Sequence, residues 1–128
     1  MRLEAVAASG RDLLKLQPTV KANVVDTTAL VHRVFERRKA NAASDLAFSA
    51  HRYLAEGLVQ VAIDEAKRLG VDVVCFLGGV AYNEHITQTI RHLADENGLY
   101  FVVHNSIPAG DSGVSFGQSA TAAWQTIR

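Results

Sequence analysis

The chain has 128 residues, 48% of them hydrophobic and 20% charged, enough for one ordinary domain and too few for two well-buried ones. Lysine plus arginine and aspartate plus glutamate both number 13, so no net field recruits nucleic acid or an anionic membrane, and no apolar run reaches the length of a membrane span. The start, MRLEAVAASGRDLLK, lacks the continuous apolar core of a signal peptide, and one cysteine makes no intrachain disulfide, so the expected compartment is the cytoplasm.

Residues 1–17 read as helix-prone, interrupted at Ser9-Gly10 and stopping before Pro18. Asp26 is a natural N-cap for a helix in which Leu30, Val31, Val34 and Phe35 recur with helical spacing. Arg37-Arg38-Lys39 falls at its end and complements the helix dipole. A polar ANAAS leads to a longer helix starting near Ser44 or Asp45 and running to Leu69, with Gly70 as a left-handed stop. Its expected inward stripe holds Ala47, His51, Leu54, Ala55, Leu58, Val61, Ala62 and Leu69.

The pattern then changes. VDVVCFL (71–77) is β-branched and almost continuously apolar, which predicts a strand covered on both faces with Cys75 buried in it. Asn83 caps a helix with Ile86, Ile90, Leu93 and Ala94 on one side, ending at Asn97-Gly98. LYFVVH (99–104) is a second strand, and after NSIPAGD a last helix runs from Asp111 to about Ile127. Strand–helix–strand–helix with short links predicts an α/β fold, helix-rich, with a small parallel sheet and right-handed crossovers. Residues 1–128 read as one unit, 1–70 mainly helical and 71–128 strand–helix–strand–helix with the expected ligand crevice. Two strands make a thin sheet, so the chain is expected to be half of a larger fold or a surface that a partner completes.

In open parallel sheets, ligands gather at the carboxyl ends of the strands. Here the first exit carries Gly78, Gly79 and Asn83, and the second carries Asp111, Ser112 and Gly113. The glycine pair serves either a turn too tight for a Cβ or the close approach of a ligand; bare amides before a helix suit an anion. Asn83 either caps its helix or reaches a ligand, and Asp111 either caps the last helix or faces a nucleotide across a divalent metal. Gly113, Gly117 and Thr121 fall four apart; packing is the expected reason for Gly117 and the crevice for Gly113. His51, on an apolar stripe, reads as a packed core residue rather than a ligand, and His32, His85, His92 and His104 show no convergent spacing. There is no Cys-x-x-Cys, no phosphate-binding lysine loop and no Ser–His–acid arrangement, so no catalytic residue is assigned.

Two long stretches, SDLAFSAHRYLAEGLVQVAIDEAKRLGVDVVCFLGGVAYNEHI and IPAGDSGVSFGQSATAA, resemble the C-terminal end of the hydrogenase-maturation carbamoyltransferase family (HypF). Members carry Phe-His-x-x-Leu-Ala, then Ser-Gly-Gly-Val-Phe-x-Asn, then Pro-x-Asn-Asp-Gly-Gly-x-x-x-Gly-Gln. His51, Leu54 and Ala55 match the first; Gly78, Gly79, Val80 and Asn83 match the second; Pro108, Asp111, Gly113, Gly117 and Gln118 match the third. The opening MRLEAVA also resembles the segment that precedes these motifs in the family.

The resemblance implies the second ribonuclease-H-like half of an actin-like ATPase fold. It implies ATP or carbamoyl-adenylate against Gly78, Gly79, Asn83 and Gly113, weakly held by this half alone. It implies a divalent metal, iron or zinc, on Asp111 only in a site completed by two histidines of the first half. Implied partners are a chain carrying that first half, or a second copy of this one, and an acceptor protein whose terminal cysteine takes the carbamoyl group. Leu77, Ala81-Tyr82 and Gly110-Asp111-Ser112 depart from the family pattern and remove a hydroxyl and an amide beside the site. Leu77 and Ser112 favour an alternative, a non-catalytic interaction module that kept the half-fold, while Asn83 and Asp111 favour the leading reading, a half that supplies one side of a composite adenylate–metal site. The sibling threonylcarbamoyl-transfer family shares the glycine pair but fits the Gly-Gln ending less well.

Overall fold

The computed structural model of the chain describes residues 2–126. Helix α1 (Arg2–Ala7) is followed by an irregular strap and a minimal antiparallel hairpin of β1 (Val20–Lys21) and β2 (Val24–Val25). Then come α2 (Thr27–Arg37), the long α3 (Ala43–Leu69), β3 (Val73–Phe76), a 3₁₀ turn (Gly79–Tyr82), α4 (Glu84–Glu96), β4 (Tyr100–Val103) and α5 (Asp111–Thr126). The expected end of α5 at Ile127 lies outside the described residues. Among the described residues no helix is long and apolar enough to cross a membrane.

Several helix ends follow from single residues. Asp26 caps α2, its Oδ1 accepting from the Ala29 amide at 3.0 Å, and Gly70 stops α3 at φ 67°, ψ 36°. The start of α3 differs: it begins at Ala43 with no side-chain cap. Asp45, the residue suited to capping, instead accepts from the Arg11 amide at 2.8 Å.

That bond belongs to a ladder which explains why residues 8–17 are not helical. Asp45, Ser49 and Tyr53 stand four apart on one face of α3. Their side chains accept from the backbone amides of Arg11, Leu14 and Thr19 at 2.8, 3.3 and 3.0 Å. The Tyr53 hydroxyl also donates to the Asp26 carbonyl at 2.9 Å, and Ser49 Oγ donates to Asp12 Oδ1 at 2.7 Å. The strap thus finds its hydrogen-bond partners on α3 rather than in a helix of its own, and the expected helix over 1–17 shortens to α1. The hairpin packs on the same helix. Gly57 makes room for it, since a Cβ there would lie 2.7 Å from Val25 Cγ1.

The core lies between α3 and α4. Ala55, Val59 and Ile63 meet Ile86, Ile90 and Ala94, with Phe76, Leu93, Leu99 and Phe101 packed against them. The apolar side expected for α4 is therefore the buried one. The stripe expected for α3 is rotated: Leu58 and Leu69 are exposed, while Tyr53, Val59, Ile63 and Ala66 are buried. The reason is that α3 is covered from several directions, by α1, the strap, the hairpin and α4, so its buried arc is wider than one amphipathic stripe.

Strands β3 and β4 pair in parallel, Val73 with Tyr100 through Phe76 with Val103, as the strand–helix–strand order predicts. One face, with Val74, Phe76 and Phe101, lies toward the helices. The other face, with Val73, Cys75, Tyr100 and Val102, is exposed. This corrects two expectations: the strand is covered on one face only, and Cys75 is an exposed thiol. The continuous apolar pattern records two faces to be covered, but this chain supplies the layer for one. Helix α5 likewise buries none of its described residues.

Candidate functional site

The turn after β3 is built on two different glycines. Gly78 sits at φ 96°, ψ 176°, a region closed to residues with a Cβ, so the turn itself requires glycine. Gly79 does not have a positive φ, and a Cβ there would meet nothing within 4 Å. Nothing described in this chain explains why that position lacks a side chain.

Two hydrogen bonds tie this turn to the loop after β4. The Gly78 amide donates to the Ala109 carbonyl at 3.0 Å, and the Gly110 amide donates to the Tyr82 hydroxyl at 3.2 Å. The two strand exits therefore border one crevice of about 590 Å³, lined by Leu77, Gly78, Val102, His104, Pro108 and Gly113 among others. Asp111, the first residue of α5, follows directly at its edge with an exposed side chain. Gly113 is required by packing, because a Cβ would stand 2.2 Å from the Pro108 carbonyl oxygen; Gly117 faces open space. Gly113 thus lines the crevice and is also required by packing, whereas the packing expected for Gly117 is not found among the described residues.

Asn83 is buried, 2% exposed, and is not among the residues that line the crevice. Its Oδ1 accepts from the Ile86 amide at 3.0 Å and caps α4, while Nδ2 faces His51 Nε2 at 3.4 Å. The Glu84 amide at the same helix start donates to Glu4 Oε1 at 3.0 Å. The first amides of α4 are thus largely taken by side chains of the chain itself, and an anion at this end would have to use the Gly79 and Val80 amides. Glu4, Tyr82 and His104 were not foreseen here. Glu4 is 80 residues from its partner, and only tertiary packing brings the two together.

His51 is a packed core residue, as expected, but His85 joins it, with ring centroids 6.0 Å apart and the Phe48 ring tilted against His85 at 4.2 Å. Spacing along the sequence hid this pair because its members lie on different helices, α3 and α4. His51 Nδ1 and His85 Nε2 are buried without a hydrogen-bond partner. Burial, then the neighbouring His85, lowers the His51 pKa, with Glu4 acting in the opposite direction; burial, then Arg52, lowers that of His85. The unfolded rings titrate near 6.5 and take up protons that the folded rings refuse, so proton uptake accompanies unfolding. Stability is therefore expected to be complete above that pH and to fall as the pH drops below it. The check is the urea midpoint between pH 7.5 and 5.5 for the chain and for His51→Gln, whose dependence should be flatter; equal slopes would remove the histidine explanation.

Among the described residues no three His, Cys, Asp or Glu side chains are grouped to hold a metal ion. Asp111 is a single carboxylate, and divalent cations need several ligands. By themselves the described residues do not offer a metal ion a set of ligands.

Fold and site together define a helix-rich α/β unit with a small parallel sheet, whose two strand exits border one crevice. The chain belongs to the family described as "Carbamoyltransferase, Kae1-like Domain, second subdomain", whose model matches residues 1–118. The resemblance carried by the motifs is thereby borne out. The probable carbamoyltransferase HypF of Methanocaldococcus jannaschii is 35% identical over 119 residues, which are 92% of this chain and 16% of that protein. A carbamoyltransferase HypF homolog of Cupriavidus necator is 30% identical over 132 residues, 96% of this chain and 34% of the homolog. The crystal structure of T. kodakarensis HypF superposes with a TM-score of 0.84 at 36% identity, covering 93% of this chain and 16% of that one. A structure of full-length HypF in its phosphate- and nucleotide-bound form shares the fold, with a TM-score of 0.80 at 20% identity over 94% of this chain and 16% of that one. The chain thus spans about a third or less of the relatives that it matches.

Proposed function

We propose that the chain supplies one wall of a nucleotide site in a carbamoyl-transferring assembly. The observation that carries this reading is Gly79: it stands at a strand exit, next to the crevice-lining Gly78, and among the described residues neither a backbone angle nor a neighbouring atom calls for glycine there. A phosphate or adenylate lying on the Gly79 and Val80 amides would supply the missing reason. Asp111 would contribute one carboxylate to a metal site whose other ligands come from the completing chain, either a first-half protein or a second copy. That completed assembly, in the cytoplasm, would use ATP or carbamoyl-adenylate and pass the carbamoyl group to a cysteine-bearing acceptor. The nucleotide-bound state of a full-length HypF of the same fold supports the choice of ligand.

A second reading rests on the uncovered sheet face, Val73, Cys75, Tyr100 and Val102, and on α5, which buries none of its described residues. These suit a non-catalytic module that binds a protein through its bare layer. Calorimetric titration with ATP separates the two. Gly79→Val should change folding stability by less than about 0.5 kcal/mol, as usual for an open surface position, and abolish ATP binding. Gly78→Val should destabilise by about 1–3 kcal/mol through its backbone angle alone. An intact Gly79→Val variant binding ATP like the parent would defeat the first reading, and a parent that binds no ATP, alone or completed, would favour the second.

A further inference from the structure

Between the two crevice walls one side chain makes the connection. Tyr82, the last residue of the 3₁₀ turn, reaches across so that its hydroxyl accepts from the Gly110 amide at 3.2 Å. Position 110 leaves the phenol room: a Cβ there would lie 3.2 Å from Tyr82 Cε2 and 3.6 Å from its oxygen. On the crevice side the His104 ring meets Tyr82 edge-on, with centroids 5.5 Å apart and planes at 67°. The Gly78–Ala109 bond lies beside it, so consecutive residues 109 and 110 are both held. From Gly110 the constraint runs directly into α5, because the Gly113 amide donates to the Gly110 carbonyl at 2.9 Å.

This matters because α5 has no core face to orient it. Where Asp111 stands relative to Gly79 is decided by the loop before it, and Tyr82 is the side chain that ties that loop to the glycine turn. We propose that Tyr82 is a positioning residue, whose phenol oxygen keeps the Asp111 loop and the Gly78–Gly79 turn in one fixed geometry. Its functional consequence rests on the nucleotide reading above; the tie itself does not.

Tyr82→Phe keeps the ring and removes only the oxygen. Amide exchange followed by NMR in the full chain is expected to run about 3–10-fold faster at Gly110, the protection of one ordinary hydrogen bond, with α4 and β4 unchanged and the urea midpoint unmoved. ATP affinity should fall by a similar factor. Unchanged exchange at Gly110 would overturn the proposal. So would acceleration spread over α4 and β4, which marks a merely structural residue, or an ATP affinity identical to the parent's. If Gly110 exchange accelerates alone and the parent, titrated alone and together with a first-half chain, binds no ATP, the positioning role stands and the nucleotide reading falls.

Discussion

Ile90→Ala is expected to cost about 3–4 kcal/mol, within the range for emptying a fully packed aliphatic site. Ile90 is 3% exposed and sits among Ala55, Val59, Ile63, Ile86 and Ala94. Two of those neighbours are alanines that are themselves fully buried, so α3 and α4 approach closely there. Alanines have no rotamers with which to fill a void, and the helices would have to move together to close it. Against a total of about 5–15 kcal/mol for an ordinary domain, the loss is large. It would also reach the site, because α4 carries Asn83 and hence the end of the glycine turn. Urea unfolding measures it; a change below about 1 kcal/mol would show that the α3–α4 seam is not the main core.

Gly10→Ala is expected to destabilise by about 2–3 kcal/mol, the upper part of the range for overpacking. A Cβ at residue 10 would lie 2.1 Å from the Ser44 carbonyl oxygen and 2.5 Å from its carbon. Both are backbone atoms in the first turn of α3, so no side-chain rotation relieves the clash. The strap must lift, which weakens the Arg11–Asp45 and Leu14–Ser49 bonds that it makes with α3. The contact of Glu4, in α1, with the Glu84 amide at the start of α4 would loosen with it. Gly117→Ala is the control, since its Cβ enters open space within a helix. Thermal unfolding should place Gly10→Ala about 8 °C or more below the parent, with Gly117→Ala unchanged or slightly higher. A parent-like midpoint for Gly10→Ala would mean that the strap is not fastened to α3 as described.

Much of the architecture was readable because the signals were local. Asp26, Asn83 and Gly70 act on amides or dihedrals within a few residues of themselves, so their positions in the sequence announce the ends of α2, α4 and α3. Ile86, Ile90 and Ala94 bury one face because α4 meets its neighbours on one side only. The strap carries a helix-prone local pattern, but the partners that hold it extended, Asp45, Ser49 and Tyr53, are more than thirty residues away. The β1–β2 hairpin turns through Ala22 and Asn23, both at positive φ, and Ala22 gives no turn signal of its own. For Cys75 the local pattern misled, since it reports what a complete sheet would bury.

The site divides in the same way. By itself the sequence determined the glycine turn, the capped helix after it, the aspartate at the head of α5 and the parallel order of the strands, each a consequence of short-range backbone chemistry and period. Only the tertiary structure decided that Asn83 points inward to His51, that Gly113 answers to the Pro108 carbonyl while Gly79 answers to nothing among the described residues, and that Tyr82 bridges the two exits. Those are contacts between segments roughly thirty residues apart or across a folded turn, where the deciding quantity is the distance between atoms.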